Sequence, residues 1–424
     1  MQRMTRASMI LPLLCLGFGL GVTPALATPD YTLEGIIPIT PTAQNTDEGM
    51  FTAFDISFVD GPSHRYYLSD RSNAAVDVFN TTTDTLIAQI GGPGVFSGHQ
   101  ASSDVSGPDG VLTAEGGTQL WVGNGNSTLL GFTPTPTGAP TSFPAIAGTP
   151  IVTGAALTDK RVDEMAFDST DHRLIVANDA ASPSPFLTLI NTQNNSITQK
   201  IVFDGTNGTP NATGGIEQPF YDAATGKFFV SVPNIGANLT GGIAEIDPLT
   251  GAVTHVFDLS TFAGIAGCGP TGLTGAGNGK LMIACGKAGT QAILFDTQAN
   301  GGAGAVVKTF AQVSGSDEAW YDPASQRFFV TGASNIGGPI LGIIDGATDT
   351  YFQTIDTVAG AHSVAVDPGG DLYIPFGAGP TNRLCTDGCI AVFDIAVPEP
   401  GSLALLATAM AGLIGLGLRR RPLR

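Results

Sequence analysis

Apolar and polar positions alternate in short runs along this chain, and the runs recur. Glu217–Ser231 (EQPFYDAATGKFFVS) and Asp317–Thr331 (DEAWYDPASQRFFVT) each read as a short apolar strand, a polar turn and a second apolar strand. In the second copy the turn is Asp322-Pro323-Ala324-Ser325-Gln326, where proline after aspartate presets the backbone. The flanks, Ala319–Tyr321 and Arg327–Val330, are rich in aromatic and β-branched residues, as strands prefer. The unit returns at Ala53–Asp70, Asp163–Asn178 and His362–Phe376.

Seven such turns, at Asp60, Glu115, Asp168, Asp222, Gly275, Asp322 and Asp367, stand 45 to 55 residues apart. A repeat of this length predicts an array of identical supersecondary units. After the hairpins comes a third strand ending in Asp or Asn: at Asn80, Asn191, Asp247, Asp296, Asp345 and Asp394. A polar turn and a fourth strand follow, as in TLIAQI, ITQKIVF, VTHVFDL and YFQTIDT. Four antiparallel strands repeated seven times predict an all-β, seven-bladed β-propeller over residues 28–397. The seventh unit lacks its fourth strand, whereas Tyr31–Ile39 (YTLEGIIPI) is a strand with no hairpin before it. It is expected to complete the last blade and hide the sheet edges that an open array would expose.

The ends of the chain read differently. Residues 1–27 have the form of a secretory signal peptide: Arg3 and Arg6, an apolar core over Met9–Val22, and the small-x-small site Ala25-Leu26-Ala27. No Arg-Arg pair precedes the core, which points to the ordinary secretory route. At the other end, Val397-Pro398-Glu399-Pro400 is followed by the apolar run Leu403–Leu418, then Arg419, Arg420, Arg421 and Arg424. From Ser402 the run holds 17 residues. As a helix it would be about 25 Å long, enough for one transmembrane span, with the arginines held in the cytoplasm.

Glycine is abundant, at 57 residues, and charged residues make up only 13% of the chain, which suits tight turns between short strands. Between the two ends lie 12 basic and 35 acidic residues, a net charge of −23. Such a body repels nucleic acid and anionic lipid. Outside the leader there are four cysteines, Cys268, Cys285, Cys385 and Cys389. An even count in an exported protein predicts two disulfides. Cys268 and Cys285 are equidistant from the centre of their hairpin turn, and Cys385 and Cys389 close a tight loop.

Two resemblances follow. LIVAN (Leu174–Asn178), LWVGN (Leu120–Asn124) and the run Tyr66–Ile90 resemble YVTN-type and NHL-like propeller repeats, which implies the same fold. The tail, residues 398–424 with Pro398, Glu399 and Pro400 at its head, is similar to the PEP-CTERM sorting signal. That resemblance implies export, an inner-membrane stage, cleavage by an exosortase, and a place at the cell surface or in extracellular polysaccharide. The expected partners are the exosortase, then polysaccharide or surface proteins.

In a propeller the starts of the innermost strands and the ends of the second strands share one face. Here they carry Asp55, Asp109, Glu164, Glu217, Glu318 and His362, with Asp70, Asn124, Asn178 and Asn234 beside them. Oxygen ligands converging on a channel mouth could hold Ca²⁺ or another divalent cation. The placement is similar to that in gluconolactonase-like propellers, which implies a metal-dependent lactonase, esterase or lyase as the alternative to a glycan- or protein-binding face. The competing reading is a set of solvated turn acids. His362, with Glu318, is the candidate for catalysis; His64, His99, His172 and His255 fall in turns, a loop and a strand. There is no H-x-x-x-H, no G-x-S-x-G elbow and no phosphate loop.

Overall fold

The computed structural model describes residues 30–138 and 141–395. The propeller body spans Tyr31–Ile395. The expected leader and tail, with the Pro398-Glu399-Pro400 motif and the apolar run, lie outside the described residues. Among the described residues no helix is long and apolar enough to cross a membrane.

Seven antiparallel sheets of four strands are arranged as the repeat predicts. Blade one is Phe54–Asp60, Arg65–Asp70, Ala75–Asn80 and Thr85–Gly91, paired in that order from the channel outward. Blade seven is Ala365–Val366, Leu372–Phe376 and Cys389–Ile395, and its outer strand is Tyr31–Pro38. Tyr31 lies opposite Ile395 and Pro38 opposite Cys389, with a bulge between Leu33 and Gly35. The N-terminal strand therefore closes the ring. Blade two departs from the repeat. Its outer strand is only Ile151–Val152, and 18 residues separate it from the third strand, Thr128–Phe132.

Burial explains the composition of each strand. Second and third strands such as Leu174–Asn178 and Phe186–Ile190 are buried on both faces, and they are almost wholly apolar. Outer strands such as Ser196–Val202 face water and carry Ser, Thr, Gln and Lys. The core is a ring of seven apolar clusters, one at each seam between neighbouring blades. The blade three–four seam packs Ile175, Leu187, Phe228 and Val230. The blade one–seven seam packs Tyr66, Phe79, Tyr373 and Ile390.

The periodic aspartates of the hairpins are turn residues. Asp168, Asp222, Asp322 and Asp367 each accept a backbone N–H two residues on. Asn80, Asn191, Asp247, Asp296 and Asp345 do the same after the third strands. His64 and His172 occupy left-handed positions in hairpin turns, at φ 51° and 55°. These groups all lie at the hairpin end of the molecule, away from the strand-one starts.

Candidate functional site on the channel face

The acids at the strand-one starts do not stand alone. Arg71, just past the second strand of blade one, reaches into the channel mouth, and Arg161, just before blade three, meets the same group of acids. Arg71 Nη2 lies 2.6 Å from both Asp55 Oδ2 and Asp109 Oδ1, and Arg71 Nε donates to Asp109 Oδ1 at 2.9 Å. Arg161 Nη2 lies 2.5 Å from Asp163 Oδ2 and 3.0 Å from Asp179 Oδ2. Its Nη1 lies 3.5 Å from Asp55 Oδ2, which joins the two halves. Blades one, two and three are thus tied by one ion network, nearly all of it buried.

His362 joins from blade seven. Its ring stacks on Phe54 at 4.5 Å, its Nδ1 lies 2.6 Å from the Gly360 carbonyl, and its Nε2 lies 3.6 Å from Asp55 Oδ1. Burial alone would lower the imidazole's pKa, but the nearby carboxylates of Asp55 and Asp317 outweigh it and raise it. Burial likewise works against ionised Asp55, yet Arg71 and Arg161 hold its carboxyl well below the usual range.

The remaining candidates sit in different surroundings. Asn178 is a support for the loop before blade three: its Nδ2 donates to the carbonyls of Asp159 and Arg161, each at 3.0 Å. Asn124 accepts from the backbone N–H of Ser97 and of Gly125. Asp70 is buried against Asp77 and Asn73. Glu164, Glu217 and Glu318 are pushed well above the carboxylate range, first by burial and then by neighbouring acids. Glu318 Oε2 accepts the Val364 N–H at 3.2 Å. Asp317, beside Glu318, is also raised by burial.

A cavity of about 610 Å³ opens beside this network, lined by Asp104, Lys160, Arg161, Asp179 and Glu217. It presents both signs of charge on a fixed scaffold, which suits a polar ligand with donors and acceptors. A bound divalent cation needs several oxygen ligands around one point. Among the described residues, no three carboxylates or imidazoles of this face bring ligand atoms within 4.8 Å of one another; the trio that does is Glu34, Asp371 and Asp394 on blade seven.

Arg71, Arg161, Asp163 and Asp179 were missed by reading acids alone. Their signal lay in the scarcity of positive charge: with 12 basic residues in the body, an arginine directly after Asp70 or two before Asp163 flanks a channel position. Both disulfides form as the spacing predicts, with Cα atoms 4.7 Å apart for Cys268–Cys285 and 6.0 Å for Cys385–Cys389.

Fold and site together define a seven-bladed β-propeller with a charged channel mouth. Residues 396–421 match the PEP-CTERM protein-sorting motif, so the chain carries that signal at its C-terminal end. No curated protein matches the chain in sequence. Its fold is similar to the WD40 β-propeller domain of Doa1, at 13% identity and TM-score 0.55, over 88% of this chain and 98% of that one. It is also similar to Kuenenia stuttgartiensis hydrazine synthase, at 12% identity and TM-score 0.58, over 85% and 99%. At such identities the likeness is one of fold alone.

Proposed function

We propose that the chain is an exported propeller that an exosortase releases from the inner membrane, and that then binds a glycan or protein at the cell surface or in the extracellular matrix through its channel face. The sorting motif implies exosortase processing, with export and membrane anchoring before the cut. The observation that carries the binding reading is the cavity on the channel face, with Arg161, Lys160, Asp179 and Glu217 in its wall. The loops of that same face also expose apolar side chains: Leu157 at 93%, Ile336 at 71% and Leu239 at 58%. Apolar groups so exposed beside fixed charges suit a macromolecular partner. A metal-dependent lactonase would need a trio of ligands that the carboxylates and His362 of this face do not assemble.

Two measurements test the proposal. In an exosortase-bearing host, changing Pro398, Glu399 and Pro400 to alanine should keep full-length chain in the membrane fraction; equal release of mutant and parent would defeat the sorting reading. Exported protein should be retained by the host's extracellular polysaccharide or surface extract. Arg161→Met with Lys160→Ala should abolish that retention, read on variant protein that a thermal melt shows to be folded. Retention unchanged in the double variant places binding elsewhere.

A further inference from the structure

A second cavity occupies the opposite, hairpin end of the channel. Its volume is about 400 Å³. The mouth is aromatic, with Phe58, Tyr221, Trp320 and Tyr321 half-buried in its wall. Trp320 of blade six meets Phe58 of blade one edge-on at 5.4 Å, because blade seven contributes only Ala365–Val366 as its innermost strand. The inner end is carboxylic, with Glu164 and Glu318. Glu318 is already engaged with the Val364 N–H. Glu164 is not: the residue is 5% exposed, and its Oε2 has no hydrogen-bond partner. A buried polar atom without a partner is costly and rare in folded proteins.

Burial and neighbouring acids disfavour the ionised form of Glu164, which a bound cation would favour again. Asp163, Glu217, Asp317 and Glu318 all act on Glu164 as like charges. The cations nearby, Arg71, Arg161 and His362, are drawn to Asp55, Asp109, Asp163 and Asp179 at the other end. A ligand entering from the hairpin face therefore meets aromatic rings first and an uncompensated carboxyl last. Aromatic faces attract cations, and a cavity of this size takes a small organic molecule.

We propose that the hairpin-end cavity binds a small organic ammonium cation, with its charged nitrogen at Glu164 and its apolar body against Phe58, Tyr221 and Trp320. This site is separate from the channel-face cavity, and its test does not depend on that reading. Choline and tetramethylammonium are the probes, with 3,3-dimethylbutan-1-ol as the neutral isostere of choline. Calorimetry on the exported protein should give binding for both cations and at least tenfold weaker binding for the alcohol. Of the two tryptophans, Trp121 is fully buried, so a change in tryptophan emission on binding reports Trp320. Glu164→Gln should weaken choline at least tenfold, and Phe58→Leu should weaken choline more than it weakens the alcohol. Phosphatidylcholine vesicles carry the same headgroup, and comparing them with free choline tells a lipid source of the cation from a soluble one. The proposal is overturned if neither cation binds at about 1 mM, or if the alcohol binds as tightly. A folded Glu164→Gln protein that binds choline unchanged overturns it too. The comparison of choline with its isostere needs no variant, so the test stands even if Glu164→Gln does not fold.

Discussion

Removing the closing strand should cost the propeller its monomeric state. Tyr31 and Ile37 are the two anchors of Tyr31–Pro38, at 3% and 4% exposure. Tyr31 packs edge-on to Phe329 of blade six at 5.7 Å, and Gln353 clamps both its N–H and its carbonyl at 2.8 Å. The strand therefore locks onto blade six as well as blade seven. Burying each anchor side chain contributes about 2 kcal/mol, and folded proteins hold only about 5–15 kcal/mol in all. Tyr31→Ala alone should cost about 3 kcal/mol, a fall in Tm of about 6 °C at roughly 2 °C per kcal/mol. Deleting residues 28–40 should do more, because it also bares the ladder edge of Cys389–Ile395, and an unpaired edge recruits other chains. Size-exclusion chromatography and a thermal melt read both effects. A deletion variant that elutes as a monomer with an unchanged Tm would refute the argument that closure at this seam holds the ring together.

Three further outcomes follow from particular contacts. Arg161→Met leaves Asp163 and Asp179 buried without their partner, so it should cost about 3–5 kcal/mol, read as a lower denaturant midpoint. Replacing Cys268 and Cys285 with serine should cost about 3 kcal/mol on loop-entropy grounds; peptide mapping of unreduced protein should find that pair, and Cys385 with Cys389, joined. Asp371 is pushed up to about 7, first by burial and then by Asp367, Asp394 and Glu34. The folded state thus keeps a proton that the unfolded chain has lost, so stability should fall as pH rises from about 4 to about 7. Asp371→Asn should flatten that fall, and an unchanged pH profile would count against the pairing of these acids.

The fold was legible because a propeller repeats its burial pattern. A second strand such as Leu174–Asn178 lies between two blades and must be apolar on both faces, and in four blades the Asp at the hairpin caps its own turn. Blade two blurs this, because its outer strand is two residues long and 18 residues separate it from the third strand. The site was less legible. Acids at strand-one starts could be placed on one face from the repeat alone, but their partners come from loops whose paths the repeat does not set. Arg71 and Arg161 are such residues, and they turn an apparent ring of acids into an ion network. Asn178 shows the converse: its position matched the channel mouth, yet its amide is spent on the carbonyls of Asp159 and Arg161. Glu164 and Glu318 differ from Asp55 by depth in the channel, which periodicity does not encode.

The closure also bears on processing at the tail. The last described strand, Cys389–Ile395, is an interior strand, hydrogen-bonded to Leu372–Phe376 on one side and to Tyr31–Pro38 on the other. Its ladder needs no residue beyond Ile395. A chain whose final blade was completed from its own C-terminal side would lose a strand, or the anchor of one, when cut near Pro398-Glu399-Pro400. Here the outer strand, Tyr31–Pro38, comes from the N-terminal side, downstream of the expected signal-peptide site, so a cut near the sorting motif would leave it in place. Among the described residues, the sheet ladders of the propeller thus lie between the expected signal-peptide site and the sorting motif. The exported, cleaved form should accordingly melt at the same temperature as the uncleaved chain, and a cleaved form that is destabilised would show that residues after Ile395 support the fold.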